Sequence, residues 1–203
     1  RFFAMKELPV QNEEGILFNQ KHRMDPHLAK DIVVFREGEC DVESVAFRLV
    51  DEKQNFLLFG PPGTGKTTLM KKCIERMEEV TCCARTHVSS RQFDTGVTLS
   101  RLKHRVKGAF TNALCLDELF MCEQGLLGFV VKLSLNGGFM MFAGDDAQLP
   151  PINNLFHGQP VPDLWDSDLL KTMAPIRIEL NVCKRSDPAL HNFNLFLRSQ
   201  ALS

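Results

Sequence analysis

Gly60-Pro61-Pro62-Gly63-Thr64-Gly65-Lys66-Thr67 decides how the rest of the chain is read. It matches the phosphate-binding pattern G-x-x-x-x-G-K-[ST] at every fixed position. Asn55-Phe56-Leu57-Leu58-Phe59 leads into it as a buried strand, and residues 68–77 leave it with helical spacing of Leu69, Cys73, Ile74 and Met77. Strand, loop and helix in that order give the pattern the context it needs. The glycines let successive backbone N–H groups turn inward toward a polyphosphate, where a side chain would collide. A helix starting near Lys66 adds its positive end. Lys66 itself supplies a mobile cation for the β- and γ-phosphates, and the Thr67 hydroxyl is a ligand for Mg²⁺.

Working outward, 203 residues at 44% hydrophobic content suffice for one α/β domain with a single substantial core. The expected layout is an N-terminal extension of unclear role over residues 1–38, then one domain over 39–203. The net charge of −1 provides no global field for nucleic acid, so any such contact must come from a local patch. Seven cysteines without a C-x-x-C pair argue against zinc and for buried, reduced thiols, hence an intracellular setting. No run of 18 apolar residues and no secretory leader occurs, so no membrane partner is expected. A start at Arg1 rather than Met is what a fragment would show.

Residues 32–35 read as a short strand and residues 41–50 as a helix on the sheet's flank. Beyond the phosphate loop, residues 79–84 read as a second buried strand. Arg101, Lys103, Arg105 and Lys107 then follow among hydroxyls and histidines. On charge alone this basic stretch suits a phosphate-backbone track or a solvated helix face equally.

Ala113-Leu114-Cys115-Leu116 forms a third strand that ends in Asp117-Glu118. Two carboxylates closing an apolar strand must be solvated or bound to something. A phosphate loop upstream supplies a partner: Asp117 for the Mg²⁺ shell, Glu118 to accept a proton from an attacking water. Residues 119–135 read as one apolar helix, and residues 138–143 as a fourth strand entering Gly144-Asp145-Asp146-Ala147-Gln148-Leu149-Pro150-Pro151. After a loop come a short helix over 163–170, with Trp165 as a core anchor, and an alternating strand over 176–180. A closing helix over 187–198 ends the reading. Strands alternating with helices, and ligand residues at strand ends, give a mostly parallel sheet with helices on both faces.

Residues 60–67, Ala84-Arg85-Thr86, Thr98, Asp117-Glu118, residues 144–151, and Leu180 through Arg185-Ser186-Asp187 form an ordered set. That set resembles superfamily 1 helicases, the RecD-like and Pif-like members above all, over about residue 40 to the end. The resemblance implies a RecA-like P-loop NTPase fold, here the first of two motor domains, the second lying outside this chain. It also implies an ATP-dependent helicase or translocase that binds ATP and Mg²⁺ and moves on single-stranded nucleic acid, DNA ranked ahead of RNA. Positive-strand virus helicases share much of the same motif set.

Carried over by position, Gly60, Pro61, Pro62, Gly63, Thr64, Gly65, Lys66, Thr67 and Thr68 bind nucleotide, and Thr67 and Asp117 hold the metal. Glu118 is the base, Gln148 senses the γ-phosphate, Arg185 reaches that phosphate from the domain's end, and Lys66 completes the catalytic group. Thr86 and Thr98 line the strand path. Three departures stand out. Glu43 occupies the place of an adenine-reading glutamine, Arg85-Thr86-His87 replaces Pro-Thr-Gly, and the short span from Leu102 to Asp117 leaves little room for a strand-splitting pin. The alternative is a non-catalytic nucleotide- or nucleic-acid-binding helicase-like module.

Overall fold

The computed structural model describes residues 32–106, 112–135, 137–148 and 167–185, with 151, 155–156, 159–160, 164–165, 187, 192–193 and 196. The extension before residue 32, Lys107, Leu149, Pro150, Ser186 and nearly all of the closing helix read over 187–198 lie outside the described residues.

Phe56-Leu57-Leu58-Phe59 forms β2 (Phe56–Phe59), buried at every position. A strand buried on both sides needs neighbours and cover on both faces, and β2 has them. With β1 (Val33–Arg36), β3 (Val80–Ala84), β4 (Val97–Thr98), β5 (Ala113–Asp117), β6 (Met140–Gly144) and β9 (Ile176–Glu179) it builds a seven-stranded sheet. The order is β1-β9-β2-β6-β5-β3-β4, and every pairing is parallel.

Alternating side chains of the central strands divide into two cores. Phe56, Leu58, Cys115, Met141, Ala143, Ile176 and Ile178 meet α1 (Val42–Asp51) and α2 (Lys66–Ile74) on one face. Leu57, Phe59, Leu114, Leu116, Met140 and Phe142 meet α4 (Leu99–Arg105), α5 (Gln124–Leu135) and α6 (Asp168–Met173) on the other. The result is the expected three-layer α/β sandwich.

The strand read over 32–35 is the sheet's edge strand β1, within the stretch assigned to the extension, and its register partner is β9 (Val33↔Ile176). Several other local readings are corrected. The helix read over 119–135 is two pieces: a 3₁₀ turn at Leu119–Met121, then α5 after a break at Cys122 and Glu123. The helix read over 163–170 begins later, because Ser167 caps it by accepting the Leu170 N–H at 3.2 Å. A short helix α3 (His87–Ser90) and an antiparallel pair, β7 (Leu155–Phe156) with β8 (Gln159–Pro160), occupy stretches that carried no element.

The strand read over 176–180 is β9, and within it the charged Arg177 is 2% exposed. The strand β9 is interior, between β1 and β2, so both of its faces are covered. The Arg177 guanidinium lies 4.2 Å from the Trp165 ring centroid, and its Nη2 donates to the Trp165 carbonyl at 3.1 Å. Trp165 in turn packs on Phe59 and Phe120, with centroids 4.8 and 5.8 Å away. It anchors the core as expected.

Candidate functional site

Parallel strands deliver their C-terminal ends to one edge of the sheet, where β2, β5 and β6 hand over to the loops that carry the predicted residues. There a cleft of about 900 Å³ opens, within the size range of small-ligand sites. Its walls include Lys66, Thr67, Asp117, Glu118, Gln148 and Arg185, which come from four separate segments of the chain.

The loop between β2 and α2 adopts positive φ at Gly60 (+140°), Gly63 (+81°) and Gly65 (+93°). The Lys66 Nζ curls back and donates to the carbonyls of Gly60 (2.6 Å) and Pro61 (2.8 Å), while the buried Thr64 hydroxyl donates to Pro61 O at 2.9 Å. A side-chain ammonium resting on its own loop's carbonyls stands where an anion can draw it off. Thr67 Oγ1 donates to Asp117 Oδ2 at 2.9 Å, joining residues fifty positions apart. That pairing suits Mg²⁺, which takes one or two protein oxygens and fills the rest of its octahedron with water and phosphate. Among the described residues no group of three or more His, Cys, Asp or Glu side chains gathers as a metal cage.

Asp117 is 6% exposed; its other oxygen, Oδ1, accepts the Glu118 N–H at 2.8 Å. Glu118 itself takes the left-handed conformation (φ 57°, ψ 42°), which costs a non-glycine residue about 1–2 kcal/mol. Strain of this kind gathers at sites where the surroundings over-determine a side chain. Gln148 Nε2 approaches Met121 Sδ at 3.1 Å on the cleft's far wall, and Ala147 N donates to Asp145 Oδ1 at 3.1 Å. Arg185 is exposed and comes from the loop after β9.

Two glycines do more than the sequence reading assigned to them. A Cβ at Gly60 would stand 2.0 Å from Leu180 O, and one at Gly63 would stand 3.2 Å from Arg185 Cβ and 3.4 Å from Cys183 Sγ. Both therefore seat the arginine-bearing loop against the phosphate loop, and Lys184 N seals the contact by donating to Gly63 O at 2.8 Å. Glu37, at the end of β1, clamps the same loop. Its Oε2 accepts from the N–H groups of Asn181 (3.1 Å) and Val182 (3.0 Å), and its Oε1 lies 3.2 Å from Lys184 Nζ. Sequence reasoning missed Glu37 because its partners are about 145 residues away; the basic pair Lys184-Arg185 was the one available signal for Lys184.

Glu43, in the place of the family's glutamine, lines the cleft and pairs with Lys72 Nζ at 2.5 Å. Nearby, burial pushes the Cys40 thiol up, while hydrogen bonds from the Ser44 hydroxyl and the Ser44 backbone N–H hold Asp41 below the usual carboxylate value. Arg85, where the family has proline, forms an ion pair with Glu123 in the break before α5. Thr86 lies half-buried within reach of Glu118, whereas Thr98 is 7% exposed and its hydroxyl caps α4 by accepting from Arg101 N at 3.3 Å. Thr98 thus has a helix-capping role that its position in a motif did not reveal.

A family model described as a viral superfamily 1 RNA helicase core domain matches residues 56–161, just over half of the chain. Among solved structures, the Pif1 helicase of Candida albicans superposes with a TM-score of 0.63 at 20% identity, over 78% of this chain and 43% of that one. A Bacteroides Pif1 helicase, in complex with ADP-AlF3 and single-stranded DNA, gives 0.59 at 19% identity over 81% and 47%. At such identities the likeness is one of fold, and the chain spans less than half the length of either helicase. No curated protein matches the chain at a significant level.

Proposed function

Because the chain belongs to the viral superfamily 1 RNA helicase core domain family, we propose that it is the nucleotide-hydrolysing motor domain of a helicase that works on single-stranded nucleic acid. The observation that carries this reading is the Thr67–Asp117 hydrogen bond beside the phosphate loop, in one cleft with Glu118, Gln148 and Arg185. Packing alone gives no reason to bring a hydroxyl, two carboxylates, an amide and two cations together at the sheet edge.

In this reading residues 60–68 cradle the phosphates of ATP with backbone N–H groups, and Lys66 leaves its carbonyl partners to neutralise phosphate charge. Thr67 and Asp117 would hold Mg²⁺, which when bound would supply positive charge against the phosphates. Glu118 accepts the proton of the attacking water. Arg185 stabilises charge at the γ-phosphate from the loop after β9, and Gln148 contacts the same group from the loop after β6. A second motor domain of the intact protein would close the cleft from outside. The strand would pass over the C-terminal ends of β3 and β4, where Thr86 lies, with Thr98 holding α4 in place beneath it. The family's description names RNA, while the Bacteroides Pif1 structure holds single-stranded DNA, so both strands belong in the test.

The test is hydrolysis in the intact protein with and without oligo-U or oligo-dT. Lys66→Ala should lose nucleotide binding. Glu118→Gln should bind nucleotide normally and hydrolyse it at least about 100-fold more slowly. Oligo-U, oligo-dT or both should stimulate turnover, and the larger effect identifies the strand. Turnover at the wild-type rate in Glu118→Gln would sink the motor reading, and nucleotide binding without any turnover in the wild type would favour a non-catalytic module.

A further inference from the structure

We propose that Thr86 is the positioning residue for Glu118: its hydroxyl proton fixes one carboxylate oxygen and leaves the other to take the proton of water. The inference rests on the reading of Glu118 as the general base. It assigns Thr86 a part in hydrolysis distinct from lining the strand path.

The two residues meet because of the sheet register. Strands β3 and β5 are parallel neighbours with Ala84 opposite Asp117, so Thr86 and Glu118 each follow closely on a paired position at the same edge. Thr86 Oγ1 lies 3.3 Å from Glu118 Oε2, 2.9 Å from Ser89 Oγ, and 3.1 Å from the Ser89 N–H, which it accepts as the cap of α3. A threonine hydroxyl has one proton to give and two lone pairs to receive with. The Ser89 N–H fills one lone pair. Either hydroxyl of the Thr86–Ser89 pair can donate to the other, but a carboxylate has only acceptors to offer. All three contacts are satisfied together in one arrangement: Ser89 Oγ–H donates to Thr86, and Thr86 Oγ1–H donates to Glu118. Ser89 is 4% exposed, so bulk solvent does not compete for its hydroxyl, while Thr86 and Glu118 are half-buried.

On the other side, the backbone of Glu118 is fixed as firmly. Its N–H is held by Asp117 Oδ1, its carbonyl accepts the Met121 N–H at 3.0 Å, and its left-handed φ ends β5 abruptly. Backbone and Oε2 are therefore set from two directions while Oε1 has no hydrogen bond within the described residues. A base oriented by a third group through its far atom is the general logic of activated nucleophiles.

The experiment compares Thr86→Val, which keeps the shape and removes the proton, with Thr86→Ser, which keeps the hydroxyl, in the intact protein. Thr86→Val should lower kcat about tenfold, the worth of one hydrogen bond to a charged group, with KM for ATP unchanged. Thr86→Ser should restore most of it. In the Glu118→Gln background Thr86→Val should have no further effect, because both residues act through one group. An equal tenfold loss in that background, or an equal loss in Thr86→Ser, would overturn the proposal and leave Thr86 acting through the strand or the fold. A Thr86→Val enzyme at the wild-type rate beside an inactive Glu118→Gln would overturn it while sparing Glu118 as base. Wild-type turnover in Glu118→Gln would instead remove the reading beneath it.

Discussion

Replacing Gly60 by alanine separates two reasons for a glycine at the head of the phosphate loop. If the residue serves only to let phosphate approach, the variant should bind nucleotide poorly yet fold with normal stability. The structure points to a second duty. An added Cβ would stand 2.0 Å from Leu180 O and 3.0 Å from Leu180 C, so the carbonyl must retreat by about 1.4 Å before ordinary contact at 3.4 Å is reached. Leu180 has little freedom to retreat: it is 1% exposed, and its N–H donates to Phe59 O at 2.9 Å. Forcing extra atoms into such a contact costs about 1–3 kcal/mol. The φ of +140° adds about 1–3 kcal/mol for any residue with a Cβ.

Gly65→Ala is the matched control. It too sits at positive φ, +93°, but its nearest neighbour is Lys184 Cδ at 3.3 Å, the far part of a flexible side chain. Urea denaturation without nucleotide should therefore place Gly60→Ala about 1–3 kcal/mol below Gly65→Ala. Trp165, the chain's one tryptophan, reports the transition from beside Phe59, at a centroid distance of 4.8 Å. Equal stability of the two variants would refute the steric argument, and the glycine would then matter to the ligand alone.

Two further outcomes follow from burial. Native thiol labelling read by mass spectrometry should reach the half-buried Cys40 and Cys183 first and leave Cys73 and Cys122 untouched, since burial pushes both of those thiols up to about 12; nucleotide should protect Cys183, whose sulfur lies beside Gly63, and labelling of Cys122 ahead of Cys40 would contradict the packing. Glu52 has a buried Oε2 that meets no hydrogen-bond donor among the described residues, and burial, outweighing the nearby Arg48, raises its pKa. A raised carboxyl pKa means the folded state holds the proton more tightly, so the stability it contributes is full below the unfolded value of about 4 and is lost as pH rises through the folded one. Glu52→Gln should therefore gain on the wild type as pH goes from 4 to 7, and a gap that narrows over that range would reverse the sign.

Much of this arrangement was legible in the sequence because it is local. The run Phe56-Leu57-Leu58-Phe59 before a glycine loop, and Leu114-Cys115-Leu116 before Asp117-Glu118, announce buried strands and their functional ends within a dozen residues. The unread parts depend on long-range neighbours. Arg177 alternates like an outward residue, and only the placement of β9 between β1 and β2, with Trp165 over the guanidinium, turns it inward. The break at Cys122 and Glu123 is invisible to apolar periodicity because Leu119, Phe120 and Cys122 are buried in either case. Thr98 matched a motif position, yet a threonine before a helix is equally a cap, and the cap is what the structure shows.

The same distinction bears on how the arginine reaches its place. Arg185 belongs to no helix or strand, so its own segment cannot position it. Its position is instead borrowed from the phosphate loop and from β1. Leu180 N bonds Phe59 O, Lys184 N bonds Gly63 O, and Glu37 receives the N–H groups of Asn181 and Val182. Moving the arginine loop away from the phosphate loop would break all four, at about 1 kcal/mol or more each. The Arg185 backbone is thereby set beside Gly63 before any nucleotide arrives, so in the proposed reading only the side chain would have to move when charge develops on the transferred group. In the proposed reading the loop that would cradle phosphate therefore also seats the segment carrying Arg185, and Gly60 and Gly63 lack side chains on the face turned toward residues 180–185.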